Sequence, residues 1–206
     1  MIVAFIRHGS TAWNEQRRMQ GRRDIPLSDS GRAEVRTWRL PADLALPVAG
    51  AVQWHSSPLR RAVETAQILS GAPPRDEPAL IEMDWGDWEG YGLVELRQRF
   101  GDAFARNEAA GLDFRPPGGE SPRDVRARVV SWLGDVAARG EPVIAVTHKG
   151  VLRAVLAAAT GWDMMGKPPV RLRNGTLHRF AVDTRGRISV VECNVPLVGH
   201  PAADAT

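Results

Sequence analysis

The chain has 206 residues, 43% of them apolar and 25% charged, with a net charge of +3 and a single cysteine. That length supports one sizeable hydrophobic core. One cysteine excludes an internal disulfide framework, and no apolar run approaches the roughly 18 residues needed to span a bilayer. Of 27 basic residues only Lys149 and Lys167 are lysines, and residues 1–61 hold ten arginines against five acids. These charges are dispersed, with no basic helix and no aromatic-basic module, so neither nucleic acid nor membrane is an expected partner. Arginine enrichment suits an anionic small molecule, because guanidinium contacts phosphate or carboxylate in pairs of hydrogen bonds. Most of these arginines are nonetheless expected to be solvated surface. No basic stretch precedes the N-terminal apolar run, which is too short for a signal peptide, so the expected location is cytoplasmic.

In chain order, "IVAFI" (2–6) reads as a short buried strand ending in Arg7, His8 and Gly9. Residues 12–19 are predicted helical, and "DIPLSDSG" is a turn leading to a helix from Ser28 or Asp29 that stops before Pro41. "AVQWHSS" (51–57) reads as a second strand. The helix "SPLRRAVETAQILS" follows, with Ser57 as cap, Pro58 at the first position, and Leu59, Ala62, Val63, Ala66 and Leu69 on one face. A strand is expected near 79–82, then an acidic, tryptophan-rich loop through Glu89. Residues 92–110 read as a helix, "RPPGGES" as a breaker, and 122–138 as a helix capped by Ser121 with Asp124 in its first turn. "PVIAVTHKG" is a strand running into a helix, and strands near 175–182 and 187–193 close the chain. A tail from about residue 197 is expected to be flexible.

Alternating strands and helices predict an α/β fold, a three-layer α/β/α sandwich with a central, mainly parallel sheet, in one domain over residues 1–206. Ligands in such folds gather at the carboxyl ends of strands. Three of those ends carry reactive groups: Arg7-His8, then Ser56-Ser57 with Arg61, then Thr147-His148. Glycine follows each histidine closely and lets the backbone turn towards a ligand. Two guanidinium groups and two imidazoles around one crevice call for an anion with several oxygens, and phosphate is the economical choice. Neighbouring arginines oppose a bound cation, so no metal is expected, and the chemistry needs no cofactor. A neutral histidine whose other ring nitrogen is fixed can attack phosphorus, given an acid for the departing oxygen. Chemistry alone leaves Glu82, Asp84, Asp87 and Glu89 as candidates for that acid.

"RHGSTAWN", "MQGRRDIPLSDSGR", "SSPLRRAVETA", "IEMDWGDWEG", "PPGGES" and "VTHKGVLRAVL", in this order, resemble the blocks of the histidine phosphatase superfamily, in its phosphoglycerate-mutase-like branch. The resemblance implies that His8 is phosphorylated during turnover, that Arg7, Arg61 and His148 bind the transferring phosphoryl group, and that Asn14 adds a donor. It also selects Glu82 as general acid and base. Ser10, Thr11, Gln20 and Gly21 are further substrate-side candidates in the matching loops. Ser10 stands where the family commonly has glutamate, with turn capping as its alternative role. Lys149 stands where a small residue is frequent, and Arg17 where glycine is. The implied activity is metal-independent hydrolysis of small phosphorylated metabolites, with a possible homodimer as the assembly. A cofactor-dependent mutase is one alternative and a nonenzymatic anion-binding module another. Only 26 residues separate Gly90 from Pro117, whereas related mutases generally carry a longer insertion there and a closing tail.

Weaker signals have plainer readings. "GWDMMGK" lacks the strand and the hydroxyl residue of a phosphate loop. Cys193 reads as a small packed residue. His55 has a modest claim to the pocket, His178 and His200 less, and Trp85 and Trp88 are expected either at the cleft mouth or in the core.

Overall fold

A computed structural model describes residues 1–41 and 52–197. Six strands form one sheet: β1 (Ile2–Arg7), β2 (Gln53–Ser56), β3 (Arg75–Asp76), β4 (Val143–Thr147), β5 (Thr176–Val182) and β6 (Ile188–Pro196). Their spatial order is β3-β2-β4-β1-β5-β6. The pairs β3/β2, β2/β4 and β4/β1 are parallel, and β5 and β6 add an antiparallel edge. The helices are α1 (Ala12–Glu15), α2 (Asp29–Thr37), α3 (Arg60–Ser70), α4 (Leu93–Glu108), α5 (Pro122–Arg139) and α6 (Lys149–Thr160).

The two faces of the sheet follow from the two-residue period of its strands. Val3 and Phe5 of β1 join Val143 and Ala145 of β4 in a core with α5 and α6. Ala4 and Ile6 join Ile144 and Val146 in a second core with Val35 of α2 and Ala62 and Ala66 of α3. Strands buried on both faces read as continuous apolar runs, as "VAFI" and "VIAV" do. The arrangement is the expected three-layer α/β/α sandwich. A smaller cluster of Trp88, Leu96 and Phe104 lies beyond the sheet. Among the described residues no helix is long and apolar enough to cross a membrane.

Ser121 caps α5 as predicted, in a reciprocal capping box with Asp124, and α2 starts at Asp29 behind a Ser28 cap. Other expectations need correction. The helix predicted over 12–19 ends at Glu15, because Arg17 adopts φ 56° and Arg18 bridges to Gly92. Ser57 does not cap α3, which starts at Arg60 behind an extended Leu59. The segment near 79–82 is no strand: Pro78–Leu80 forms a 3-10 turn capped by the Glu77 side chain. Its Leu80 carbonyl accepts from Thr147 Oγ1 at 2.7 Å, which ties this turn to the end of β4. The second strand is shorter than expected, and position 51 lies outside the described residues. Leu197 is buried and its N–H reaches the Gly175 carbonyl at 3.1 Å. The rest of the expected tail, with His200, also lies outside the described residues.

Candidate active site

Register explains why distant residues meet. Arg7 pairs with Thr147 across β1/β4, so the next residues, His8 and His148, leave neighbouring parallel strands side by side. The His8 N–H donates to the Thr147 carbonyl at 3.0 Å, and the two rings lie 5.0 Å apart. Ser56 pairs with Val146 on the other side of β4, and the Ser57 N–H donates to the Val146 carbonyl at 3.0 Å. Three strand ends therefore converge, and α3 starts immediately afterwards with Arg61 in its first turn.

His8 Nδ1 lies 2.7 Å from the Gly9 carbonyl oxygen. A carbonyl only accepts, so Nδ1 carries the proton and Nε2 keeps its lone pair in the neutral ring. Burial, followed by the charges of Arg7 and Arg61, holds the His8 pKa well below the ordinary histidine value. Both effects disfavour imidazolium, so the ring stays neutral and nucleophilic. The same reasoning settles His148. Arg61 Nε donates to His148 Nδ1 at 3.3 Å, so His148 Nε2 carries the proton and donates to Ser57 Oγ at 2.7 Å. Burial and the nearby Arg61 likewise lower the His148 pKa.

The Arg61 guanidinium is fully buried and held on three sides. Besides His148 it donates to the carbonyls of Arg23 and Gly21, each at 2.8 Å. Gly21 has φ 52°, and a Cβ there would lie 1.9 Å from Glu89 Oε1, so the loop that holds Arg61 requires glycine. Arg7 donates to Asn174 Oδ1, and its Nε is buried without a partner among the described residues. An anion would satisfy that donor.

Glu82 sits at the N-terminus of α6. The Gly150 N–H reaches its two oxygens at 3.1 and 3.3 Å, and the Met83 N–H reaches Oε1 at 2.9 Å. A helix N-terminus favours negative charge, so α6 fixes this carboxylate in place. A Cβ on Gly150 would stand 2.3 Å from Glu82 Oε1, which explains glycine at that position.

These groups open onto a cleft of about 580 Å³. Of the predicted residues, Arg7, His8, Asn14, Gln20, Gly21, Arg61 and Glu82 line it. Glu82 alone does so among the four competing acids. Asp84 pairs with Arg22 and caps the Gly86 N–H, Glu89 braces Arg22 and Arg23, and Asp87 is exposed. Asn14 Oδ1 is committed to the Thr11 N–H and hydroxyl, which leaves its amide nitrogen as the available donor. Thr11 is buried beside the cleft, and its hydroxyl also bonds Gln20 Oε1 at 3.0 Å. Ser10 stays off the cleft wall, where its carbonyl receives the Ser28 N–H. His148 lies behind His8, fully buried and off the cleft surface.

The weaker candidates separate too. Trp85 lines the cleft, while Trp88 packs against Phe104 with rings 4.9 Å apart. His55 is buried against Trp132 and does not reach the cleft. His178 accepts the Asn194 N–H as a core histidine. Cys193 is half-buried beside the core, and burial raises its pKa. Among the described residues no three His, Cys, Asp or Glu side chains gather as metal ligands.

Several cleft residues went unnoticed in the sequence. Arg153 falls four residues after Lys149 on α6, so helical spacing alone puts both on one face. Phe114 and Met164 lie in irregular segments, and nothing local marks them as cleft walls.

The chain resembles known proteins along most of its length. A chain from Methylobacterium radiotolerans, a 2,3-bisphosphoglycerate-dependent phosphoglycerate mutase, is 33% identical over 89% of this chain and 91% of its own. A glucosyl-3-phosphoglycerate phosphatase from Mycolicibacterium vanbaalenii is 35% identical over 80% of this chain and 78% of its own. The structure of Bacillus stearothermophilus YhfR superposes with a TM-score of 0.80 at 31% identity, covering 96% of this chain and 98% of that one. A mycobacterial glucosyl-3-phosphoglycerate phosphatase solved with VO3 gives 0.76 at 26% identity, covering 94% and 99%. Residues 3–195 match the histidine phosphatase superfamily (branch 1), and the chain belongs to that family.

Proposed function

We propose that this chain is a phosphomonoesterase that hydrolyses small phosphorylated metabolites through a phosphohistidine on His8. One observation carries the reading: a buried, neutral imidazole has Nδ1–H tied to the Gly9 carbonyl and lies within the field of two guanidinium groups, Arg7 and Arg61. His8 Nε2 attacks phosphorus, the bond to the leaving oxygen breaks, and Glu82, entering this step as the carboxylic acid, gives that oxygen its proton and becomes the carboxylate. Water then attacks the phosphohistidine, Glu82 takes the water proton, the P–N bond breaks and phosphate departs. Arg7 and Arg61 meet the charge on the phosphoryl oxygens, so the transfer is stabilised by fixed donors. Asn14 supplies a further donor at the cleft wall. Buried between Ser57 and Arg61, His148 acts in the first instance as a positioning residue.

Mutase-type transfer is a second reading, favoured by the names of relatives such as the Methylobacterium chain. That relative is matched over 91% of its length, so the short connection from Gly90 to Pro117 separates the two activities less sharply than it does in the sequence alone. The active sites share their first half-reaction and differ in whether water or an organic hydroxyl accepts the group. The proposal also takes residues 1–206 as one domain, excludes nucleic acid as a partner, and expects a homodimer, which sedimentation velocity would check.

Acid quenching with phosphorus-labelled ester tests the nucleophile. Wild type should trap an acid-labile, base-stable phosphoenzyme that is absent from His8→Ala, with turnover falling by at least about 10⁴-fold. Label that persists in His8→Ala would remove the assignment. Chasing the labelled enzyme with a phosphoglycerate distinguishes the two activities: inorganic phosphate means hydrolysis, and labelled bisphosphate means transfer.

A further inference from the structure

The charges around the cleft exceed what one phosphoryl group needs. Six cationic side chains line it, against the two carboxylates of Glu82 and Glu108. Glu108 is already neutralised, since both its oxygens are bound by Arg97 at 3.1 and 2.7 Å. Arg7 and Arg61 belong to the phosphoryl end. Arg18 is partly committed, donating to the Gly90 carbonyl at 2.8 Å. The side chains of Arg17, Lys149 and Arg153 form no hydrogen bond or ion pair with any described residue, and of these three only Lys149 and Arg153 share one helix.

Those two residues stand four apart on α6, on the face that also supplies Gly150 to Glu82. Arg153 is half-buried and lies over the Trp162 ring at 4.8 Å, which fixes the position of its guanidinium. Lys149 is exposed as a whole residue. Even so, crowding by the cleft walls, and then the like charges of Arg7 and Arg153, lower the pKa of its ammonium. Glu82 offsets part of this crowding, but cations in excess of the one nearby acid repel one another, and a bound anion relieves both the repulsion and the lost hydration. The same cleft is also lined by the apolar side chains of Trp85, Phe114 and Met164.

We propose that Lys149 and Arg153 form a second anion subsite, and that the preferred substrates are phosphomonoesters whose leaving group carries a carboxylate or another anionic group. This rests on the phosphatase reading, with His8 and Glu82 at the phosphoryl end. The phosphate is held between Arg7 and Arg61, the carbon skeleton lies against the apolar wall, and the second anion reaches α6. A fixed guanidinium gives the directional half of the subsite and a flexible ammonium the adaptable half. The pair sets specificity and takes no part in bond breaking.

The test compares ester pairs that differ in one charge: 3-phosphoglycerate with glycerol 3-phosphate, and 4-carboxyphenyl phosphate with phenyl phosphate. Dissociation constants are measured on His8→Ala, which removes turnover, and kcat/KM on proteins that retain His8. The carboxylated member of at least one pair should bind about tenfold more tightly. Lys149→Gln and Arg153→Gln should each shrink that preference several-fold, Arg153→Lys should keep most of it, and Lys149→Glu should reverse it. Reading each variant as a ratio between paired esters cancels leaving-group acidity and any general loss of folded protein. Equal affinity within both pairs overturns the proposal, as does a preference that survives both Gln substitutions. Binding preference without turnover of any ester would instead sink the phosphatase reading and leave the subsite standing. Turnover without preference would do the opposite.

Discussion

The two ends of the cleft are built differently. At the phosphoryl end, His8, Arg61 and His148 stand at or just beyond strand ends, each held by a bond to the backbone or to a neighbour of fixed geometry. At the leaving-group end the walls come from irregular segments around Trp85, Phe114 and Met164, with Lys149 and Arg153 projecting from one helix. The first arrangement is preorganised for one charge distribution, as transition-state stabilisation requires. The second can change its side chains without disturbing the sheet. On the proposed reading, catalysis and substrate choice lie on separable parts of the fold.

Glu82 joins the two ends, and replacing it should give the largest difference between substrates. Glu82→Gln should lower kcat/KM for an alkyl phosphate by about 10²–10⁴-fold, but for 4-nitrophenyl phosphate by no more than about tenfold. An acidic phenol leaves without a proton donor, whereas an alkoxide does not. Equal losses on both esters would mean that Glu82 positions groups and transfers no proton.

The protein core beneath the cleft should respond to acid through two histidines that take no part in the site. The buried, folded-state pKa values of His55 and His178 are lowered to about 4 from 6.5. The unfolded chain therefore binds protons between those values that the folded chain refuses. Stability is fully present above about pH 6.5 and is lost as pH falls towards 4, by up to about 3 kcal/mol for each histidine. Urea unfolding at a series of pH values reads this loss. His55→Leu should flatten the slope across that window, and an unchanged slope would show that His55 titrates normally in the fold.

Gly150→Ala is the subtlest intervention. The added methyl displaces Glu82 from α6 while leaving His8, Arg61 and the phosphate contacts in place. Alkyl-ester turnover should drop about tenfold, with phosphoenzyme formation from 4-nitrophenyl phosphate nearly intact. If both steps fell together, the helix start would serve the whole site and not the acid alone.

Much of this was legible from local order along the chain. The doubly buried strands, the cap at Ser121, and the placing of Arg7-His8 and Thr147-His148 at strand ends all follow from short-range rules. Hydrophobic period and backbone capping act within a few residues, so a sequence carries them openly. Selecting among Glu82, Asp84, Asp87 and Glu89 needed either family resemblance or three-dimensional contact. Four carboxylates in eight residues are chemically alike until α6 offers its N-terminus to one of them and arginines claim two of the others. Which nitrogen of His148 bears the proton was hidden for the same reason, since the deciding partners, Arg61 and Ser57, are far away in the chain. The strand ends of the phosphoryl site are thus written locally. Proton placement on His148, the choice of acid and the meeting of the α6 cations with the phosphoryl site depend on packing between remote segments, because only folding brings those groups within reach of one another.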